Sequence, residues 1–259
     1  MKSRRFFAPP GAFTSNHSSV TLASDEARHL RDVLRLKVGD EVDVFDGAGR
    51  EFHCRIAETR RDTAELEVMS ETSPVKPESP LRLTLAVALL KGEKFDLVVQ
   101  KATELGVASV VPLVTKHADI HLRDASDAAK RVARWQRIAL EASKQSGRAV
   151  VPEVTGPVAF KALIETQTRQ TVDSEGGRTG LMFSERDGVS LDECCQTNPV
   201  KLSSLTALIG SEGGWADEEI SFAREAGWSI ITLGGRTMRA ETAAIAVSAL
   251  LQHRFGDLV

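Results

Sequence analysis

Two glycine-rich segments near the C-terminus constrain this chain more than anything else in it. They are Leu208-Ile-Gly-Ser-Glu-Gly-Gly-Trp215 and Leu233-Gly-Gly-Arg-Thr-Met-Arg-Ala-Glu-Thr-Ala243. Each follows a short apolar run of the buried-strand type and opens a stretch with helical spacing. Glycines at such junctions carry no Cβ and tolerate positive φ, so the backbone can close against a ligand. Strand, tight loop and helix in succession build an open α/β sheet, which binds ligands outside the carboxyl ends of its strands. The two segments are therefore expected to be neighbouring loops of one pocket.

The same alternation extends upstream. Leu81–Leu90 and Val107–Val114 read as strands, with a helix over Phe95–Leu105 that stops at Gly106 between them. A long basic helix is expected over Asp127–Gln145, with Trp135, Ile138, Ala139 and Ala142 on one face. Thr179–Phe183, Leu205–Ile209 and Ile230–Leu233 are short apolar runs of the kind buried on both faces. Asp217 reads as the N-cap of one helix, and a last helix is expected over Glu241–Phe255. The polar stretch Thr166–Arg178 reads as a surface loop.

Upstream of about residue 72 the pattern is different. Val42–Phe45, Glu51–Ile56 and Ala64–Val68 alternate with the strand period, and Asp46-Gly-Ala-Gly49 supplies a hairpin turn. Asp25–Leu34 has helical spacing. A small β-barrel-like module is expected here. Glu71–Pro80 carries Pro74, Pro77 and Pro80 without an apolar period and reads as a linker. The chain of 259 residues thus divides into residues 1–72, a linker at 73–80 and residues 81–259.

Composition removes several classes. No window approaches the ~18 consecutive apolar residues of a membrane span. The basic start, Met1–Pro10, has too short an apolar stretch for a signal peptide. Cys54, Cys194 and Cys195 show neither metal-ligand nor disulfide spacing, so no metal is expected and a reducing cytoplasm is the simplest home. A net charge of −3 argues against indiscriminate coating of nucleic acid. Basic residues nonetheless outnumber acidic ones in 1–35 and in 116–148, where His117 and His121 add to them. Such clusters fit either a focused phosphate-binding surface or solvated helix faces.

From the residues alone, three readings of the glycine loops stay open. A nucleotide phosphate site lacks the Lys-Ser/Thr ending and the usual glycine spacing, and Glu212 would repel the phosphate. A pair of purely structural turns is the second. The third is a glycine-lined crevice for a zwitterionic or adenine-bearing ligand.

Beyond these loops, seven further segments recur in a fixed order: Arg5-Phe-Phe7; His29-Leu-Arg-Asp-Val-Leu-Arg-Leu36 with Gly39-Asp40; Asp46-Gly-Ala-Gly49; Lys91-Gly-Glu-Lys94; Gln100-Lys-Ala-Thr-Glu-Leu-Gly-Val107; Arg134-Trp-Gln-Arg-Ile-Ala-Leu-Glu-Ala142; and Gln145-Ser-Gly-Arg148. With them the chain resembles, over nearly its full length, the RsmE-type 16S rRNA uracil-N3 methyltransferases of the SPOUT superfamily. The family's glycine loop reads Gly-Pro-Glu-Gly-Gly, and Ser211 stands here in place of the proline. That change frees one backbone dihedral.

The resemblance implies an α/β fold: a SPOUT-type methyltransferase domain with a trefoil knot, a rarity among proteins, preceded by a small PUA-like β-barrel domain that binds RNA. It implies S-adenosylmethionine as cofactor, held by three loops. The first follows Leu181–Phe183 and brings Phe183. The second brings Ile209, Gly210, Ser211, Glu212, Gly213 and Gly214. The third runs over Leu233–Thr242 and brings Leu233, Gly234, Met238, Ala240 and Thr242, with Ala243 just beyond. The family works as a homodimer on small-subunit ribosomal RNA. The last helix offers Ala244, Ile245, Val247 and Leu251 either to that interface or to the core.

Methylating uracil N3 requires an unpaired base, loss of the N3 proton and stabilisation of charge spread over O2, N3 and O4. Arg239 is the expected charge stabiliser and Arg236 the second candidate, unless Arg236 pairs with Glu241 or Glu212. Glu241 or Glu212 could accept the proton, although no residue stands out as the base. RNA phosphates are expected on Arg4, Arg5, Arg31 and Arg35, and on the basic helix through Arg134 and Arg148. Phe6 and Phe7 fit a core better than a base-stacking platform. Ribose 2′-O methylation, or a non-catalytic assembly factor with the same fold, would be the alternatives.

Overall fold

The computed structural model describes residues 4–118, 120, 124–172, 179–197 and 202–259. His121 and residues 173–178 of the expected surface loop lie outside them. Contacts divide the chain into two units: residues up to Glu78 with Leu140–Val151, and Ser79–Ala139 with Pro152–Val259. The sequence reading placed Leu140–Val151 in the second domain.

The first unit is a five-stranded sheet of β1 (Arg5–Phe7), β2 (Ser19–Leu22), β3 (Glu41–Phe45), β4 (Glu51–Thr59) and β5 (Ala64–Thr72), ordered β1-β3-β4-β5-β2. β1 runs parallel to β3, and the remaining pairs are antiparallel. Register shifts at His53/Cys54 and Ile56/Glu58 increase the local twist and curl the sheet. The alternation of β3 and β4 buries Val42, Val44, Phe52, Cys54 and Ile56 with Phe6, Leu22 and Leu66. Asp46 closes the β3–β4 turn by accepting the Ala48 and Arg50 amides at 2.8 and 3.0 Å. β1 and β2 were not anticipated, because three and four residues are too few to show a period. The expected helix over Asp25–Leu34 is α1 (Ser24–Arg28) followed by a wider π-turn over His29–Val33, in which the Leu34 amide bonds the His29 carbonyl.

The second unit is a parallel sheet. Its strands are β6 (Arg82–Ala88), β7 (Ser109–Val114), β8 (Glu153–Val154), β9 (Val158–Ala159), β10 (Thr179–Phe183), β11 (Ser204–Ile209) and β12 (Ser229–Ile231). Their order is β12-β10-β11-β6-β7-β8, with β9 also on β7, and every pairing is parallel. Leu85–Ala88 and Leu205–Ile209 are buried without a break, which requires cover on both faces. On one face Ala86, Met182 and Leu208 join Trp215, Ile220 and Ala223 of the α6 (Asp217–Glu225) region and Phe160 and Ile164 of α4 (Phe160–Val172). α2 (Lys94–Glu104) and α7 (Ala240–Phe255) pack together, with α7 also against β6 and β11. α3 (Ala125–Ser146) buries Trp135, whose indole N–H donates to Asp96 at 3.0 Å.

Two expectations change and one open alternative narrows. Thr166–Val172 is helix, not loop: α4 is anchored by buried Phe160, Leu163 and Ile164, and Thr166 and Thr168 satisfy their hydroxyls on the Ala162 and Ile164 carbonyls. The N-cap of α6 is Ala216 rather than Asp217, and the Glu219 carboxylate accepts the Ala216 amide at 3.0 Å. On α7, Ala244, Val247 and Leu251 are buried in the chain's own unit and Ile245 is half-buried, so the face packs mainly as core. A short helix α5 (Leu191–Thr197) was not anticipated.

Candidate active site

The loops after β10, β11 and β12 meet at the carboxyl edge of the second unit's sheet and enclose a cavity of about 500 Å³. This is the size of a site for a cofactor or small ligand. The chain reaches β10 and β11 only after crossing to β7 and β8, so β11 returns to the side of β6, and loops from separate crossings converge here. Residues 183–185, 209–215 and 231–240 line the cavity, with Ala243 and Val247 of α7.

The first glycine loop is braced from outside. Trp215, buried, donates its indole N–H to the Phe183 carbonyl at 2.8 Å and so joins the β10 and β11 loops. Ser211 donates its hydroxyl to the His117 carbonyl at 2.8 Å, and the His117 ring meets the Gly213 carbonyl at 3.1 Å. A Cβ on Gly213 would lie 2.9 Å from that of His117, so the close approach excludes any side chain there. The Arg186 guanidinium donates to the Trp215 carbonyl at 3.1 Å and pairs with Asp217 at 2.7 Å. In the second loop Gly234 and Gly235 adopt φ of +71° and +74° in succession, which points two carbonyls and two amides in directions that a regular strand exit cannot.

Charge in the cavity is unevenly satisfied. Arg236 and Arg239 are exposed on its wall, and neither guanidinium has a hydrogen-bond or ion-pair partner among the described residues. The carboxylate expected to pair with Arg236 is engaged elsewhere: Lys94, first residue of α2, donates to Glu212 at 2.7 Å and lies 4.0 Å from Glu241. The Glu212 hydrogen bond holds the Lys94 ammonium above the ordinary lysine pKa. Glu241 keeps one buried carboxylate oxygen without a hydrogen-bond partner.

Of the residues expected around the cofactor, Phe183, residues 209–214, Leu233, Gly234, Met238, Ala240 and Ala243 line the cavity, as does Arg239. Thr242 and Glu241 do not line it, because α7 has begun and carries Glu241 towards Lys94. Ile231 and Thr232 line it without having been anticipated. Their signal was simple position near the end of a predicted strand. Lys94 had a visible motif but no role.

The arginines expected on RNA separate into two groups. Arg4, Arg35 and Arg134 are exposed, and Arg31 is half-buried, bonded to Asp32 and to the Arg60 and Arg61 carbonyls. Arg134 pairs with Asp96 and, at 3.6 Å, with Glu93. Arg5 and Arg148 are corrections. Arg5 is buried against Glu51 at 2.8 Å, bonds the Arg148 carbonyl at 2.8 Å and lies over the Phe45 ring, while Arg148 is buried against Glu78. Both guanidiniums are held inside the first unit, although Nη1 of Arg5 is buried without a hydrogen-bond partner. Phe6 is in the core, with 1% of its surface exposed. Among the described residues no cluster of His, Cys, Asp or Glu could hold a metal ion, and no helix is long and apolar enough to cross a membrane.

Comparisons with known proteins agree with this geometry. Residues 77–252 match the family described as an RNA methyltransferase domain, and residues 22–69 that of an RNA methyltransferase PUA domain. Ribosomal RNA small subunit methyltransferase E of a Synechocystis strain is 35% identical over 91% of this chain and 74% of its own length. The solved structure of ribosomal RNA small subunit methyltransferase E from Neisseria gonorrhoeae, bound to S-adenosyl methionine, has a TM-score of 0.83 at 31% identity, covering 99% of this chain and all of that one, 100%. A methyltransferase structure from Legionella pneumophila, in complex with the same cofactor, has a TM-score of 0.84 at 29% identity and covers 100% of both chains. Fold and cavity together define a two-domain RNA methyltransferase with an N-terminal PUA domain. The chain belongs to the ribosomal RNA small subunit methyltransferase E family, which uses S-adenosylmethionine.

Proposed function

We propose that the protein transfers a methyl group from S-adenosylmethionine to N3 of a uridine in 16S ribosomal RNA, on an assembled small subunit. The observation that carries this reading is the cavity of about 500 Å³ walled by three loops at the carboxyl ends of β10, β11 and β12. Its residues fit the cofactor. Backbone amides and carbonyls of the glycine loops suit an adenine edge and an amino-acid head, and Phe183, Ile209 and Met238 supply apolar wall. When bound, S-adenosylmethionine supplies an electrophilic methyl on a sulfonium.

The chain's own residues supply the rest. Arg239 and Arg236 stand on the cavity wall with their donors uncommitted, where they can stabilise charge on O2 and O4 as the N3 proton leaves. Glu241 faces Lys94, which favours solvent as the proton's destination. RNA phosphates meet Arg4, Arg31 and Arg35 on the first unit. On the second they meet Lys130, Arg134 and Arg137, three exposed cations spaced i, i+4, i+7 along one face of α3. Arg137 thus takes the place foreseen for Arg148. Family membership supports a knotted C-terminal segment, a homodimer and a cytoplasmic location, and exposed Leu250 on α7 offers the dimer an apolar contact.

Calorimetry with S-adenosylmethionine, followed by mass spectrometry of small-subunit RNA treated with the protein, tests the reading. Cofactor binding with 3-methyluridine formation is expected. Binding without any methylated product would leave an assembly factor instead.

A further inference from the structure

We propose that Lys94 is a positioning residue of the methyl-transfer site, an ammonium that ties the first glycine loop to the helix following the second through Glu212 and Glu241. The inference rests on the reading of the cavity as the cofactor site. Three elements distant in sequence meet at this one group. Lys94 comes from the first turn of α2, Glu212 from the β11 loop and Glu241 from the first turn of α7. Glu212 lines the cavity, whereas Lys94 and Glu241 stand behind its wall.

Lys94 occupies a place that local physics disfavours. It is in the first turn of α2, where the helix dipole opposes a cation and favours the acids Glu93 and Asp96 beside it. A lysine there weakens its own helix, so its partners must be sought across the loop. One ammonium has three donors. One bonds Glu212 at 2.7 Å, and the carboxylate oxygen of Glu241 4.0 Å away is buried without a hydrogen-bond partner. Donor and acceptor stand 4.0 Å apart, too far for a hydrogen bond. A small inward movement of α7's first turn satisfies both. Arg239 and Ala240 on the cavity wall directly precede Glu241 in the chain, so the same movement sets their distance from the first loop. Lys94 therefore acts on the reaction by fixing the width of the site, touching neither cofactor nor base.

The test is calorimetric titration of the full-length protein with S-adenosylmethionine, with thermal midpoints recorded in its absence. For Lys94→Met the dissociation constant is expected to rise about tenfold, as for coupled members of one ion-pair network. Its midpoint without cofactor should stay that of the wild type, because a partly exposed ion pair adds little to folding. Lys94→Arg should recover most of the affinity. The double variant Lys94→Met with Glu241→Gln should bind no more weakly than Lys94→Met alone. Wild-type affinity in Lys94→Met, additive losses in the double variant, or collapse of the fold without cofactor would each overturn the inference. These results leave the cofactor reading standing if the wild type binds. A wild-type protein that binds no S-adenosylmethionine removes both.

Discussion

Ser211 gives its hydroxyl hydrogen to the main-chain carbonyl of His117 at 2.8 Å. Where relatives of this fold are expected to stiffen the glycine loop with proline, this chain ties it to the segment after β7. Proline restricts one dihedral covalently, whereas this hydrogen bond fixes the loop to the turn that follows β7. Ser211→Ala should cost about 1 kcal/mol of stability, the net worth of one such bond, and should also weaken S-adenosylmethionine binding. Denaturant unfolding and calorimetry measure the two effects. An alanine variant with unchanged cofactor affinity would show that the tie serves folding alone.

Arg239→Ala should lower the rate of methyl transfer by about 100-fold or more, the loss usual for one preorganised donor at developing charge, with cofactor affinity kept. Arg236→Ala should follow it with a smaller loss. Single-turnover assays with labelled cofactor would read both, and full activity in Arg239→Ala would remove the assignment.

Glu241→Gln should retain methyl transfer while loosening the cofactor, since Glu241 lies behind the wall and faces Lys94. Comparing single-turnover rate with cofactor affinity separates the two effects. If the rate collapses at unchanged affinity, Glu241 is the proton acceptor after all.

Arg5 and Glu51 form an ion pair with side chains 8% and 2% exposed. Removing one member strands a buried charge, so Arg5→Ala should lose about 3 kcal/mol or more. Arg35→Ala, on the exposed turn after the π-turn, should leave stability alone and weaken RNA binding. Urea titrations and RNA binding curves for both variants decide the matter. An Arg5→Ala protein of normal stability that had lost RNA affinity would restore the phosphate role.

His53 is held above the ordinary histidine pKa, chiefly by its hydrogen bond to Asp43 and then by that to Glu41. A raised folded-state pKa stabilises fully below the unfolded value, about pH 6.5, and the contribution is lost as pH rises through the folded value. Glu41, held below its ordinary pKa mainly by Arg55, contributes in the opposite sense, losing its share as pH falls through that depressed value. The first unit should therefore unfold at a lower urea concentration at pH 8 than at pH 6, and His53→Gln should flatten this slope. A variant with the wild-type slope would place the effect elsewhere.

Much of the second unit could be read from the sequence because its signals are local. Short apolar runs such as Leu205–Ile209 read as strands covered on both faces, and glycines at their ends foretell loops at one edge. What remained hidden depends on partners far away in the chain. Arg5 and Arg148 look like surface cations until Glu51 and Glu78 are brought beside them. Glu241 lies two residues after Arg239, but at the start of α7 its carboxylate approaches Lys94 and does not line the cavity. Lys94 shows its role only when Glu212 arrives from over a hundred residues away, a separation of 118. Thr166 and Thr168 mimic a loop in composition while bonding their own helix.

Nucleoside analysis tests base methylation at N3 without an intermediary. Small subunits from cells lacking this protein, incubated with it and isotopically labelled S-adenosylmethionine, should yield label in 3-methyluridine at one site of the 16S RNA. Label in a 2′-O-methylated nucleoside, or none in the RNA, would rule out methyl transfer to uracil N3 by this protein.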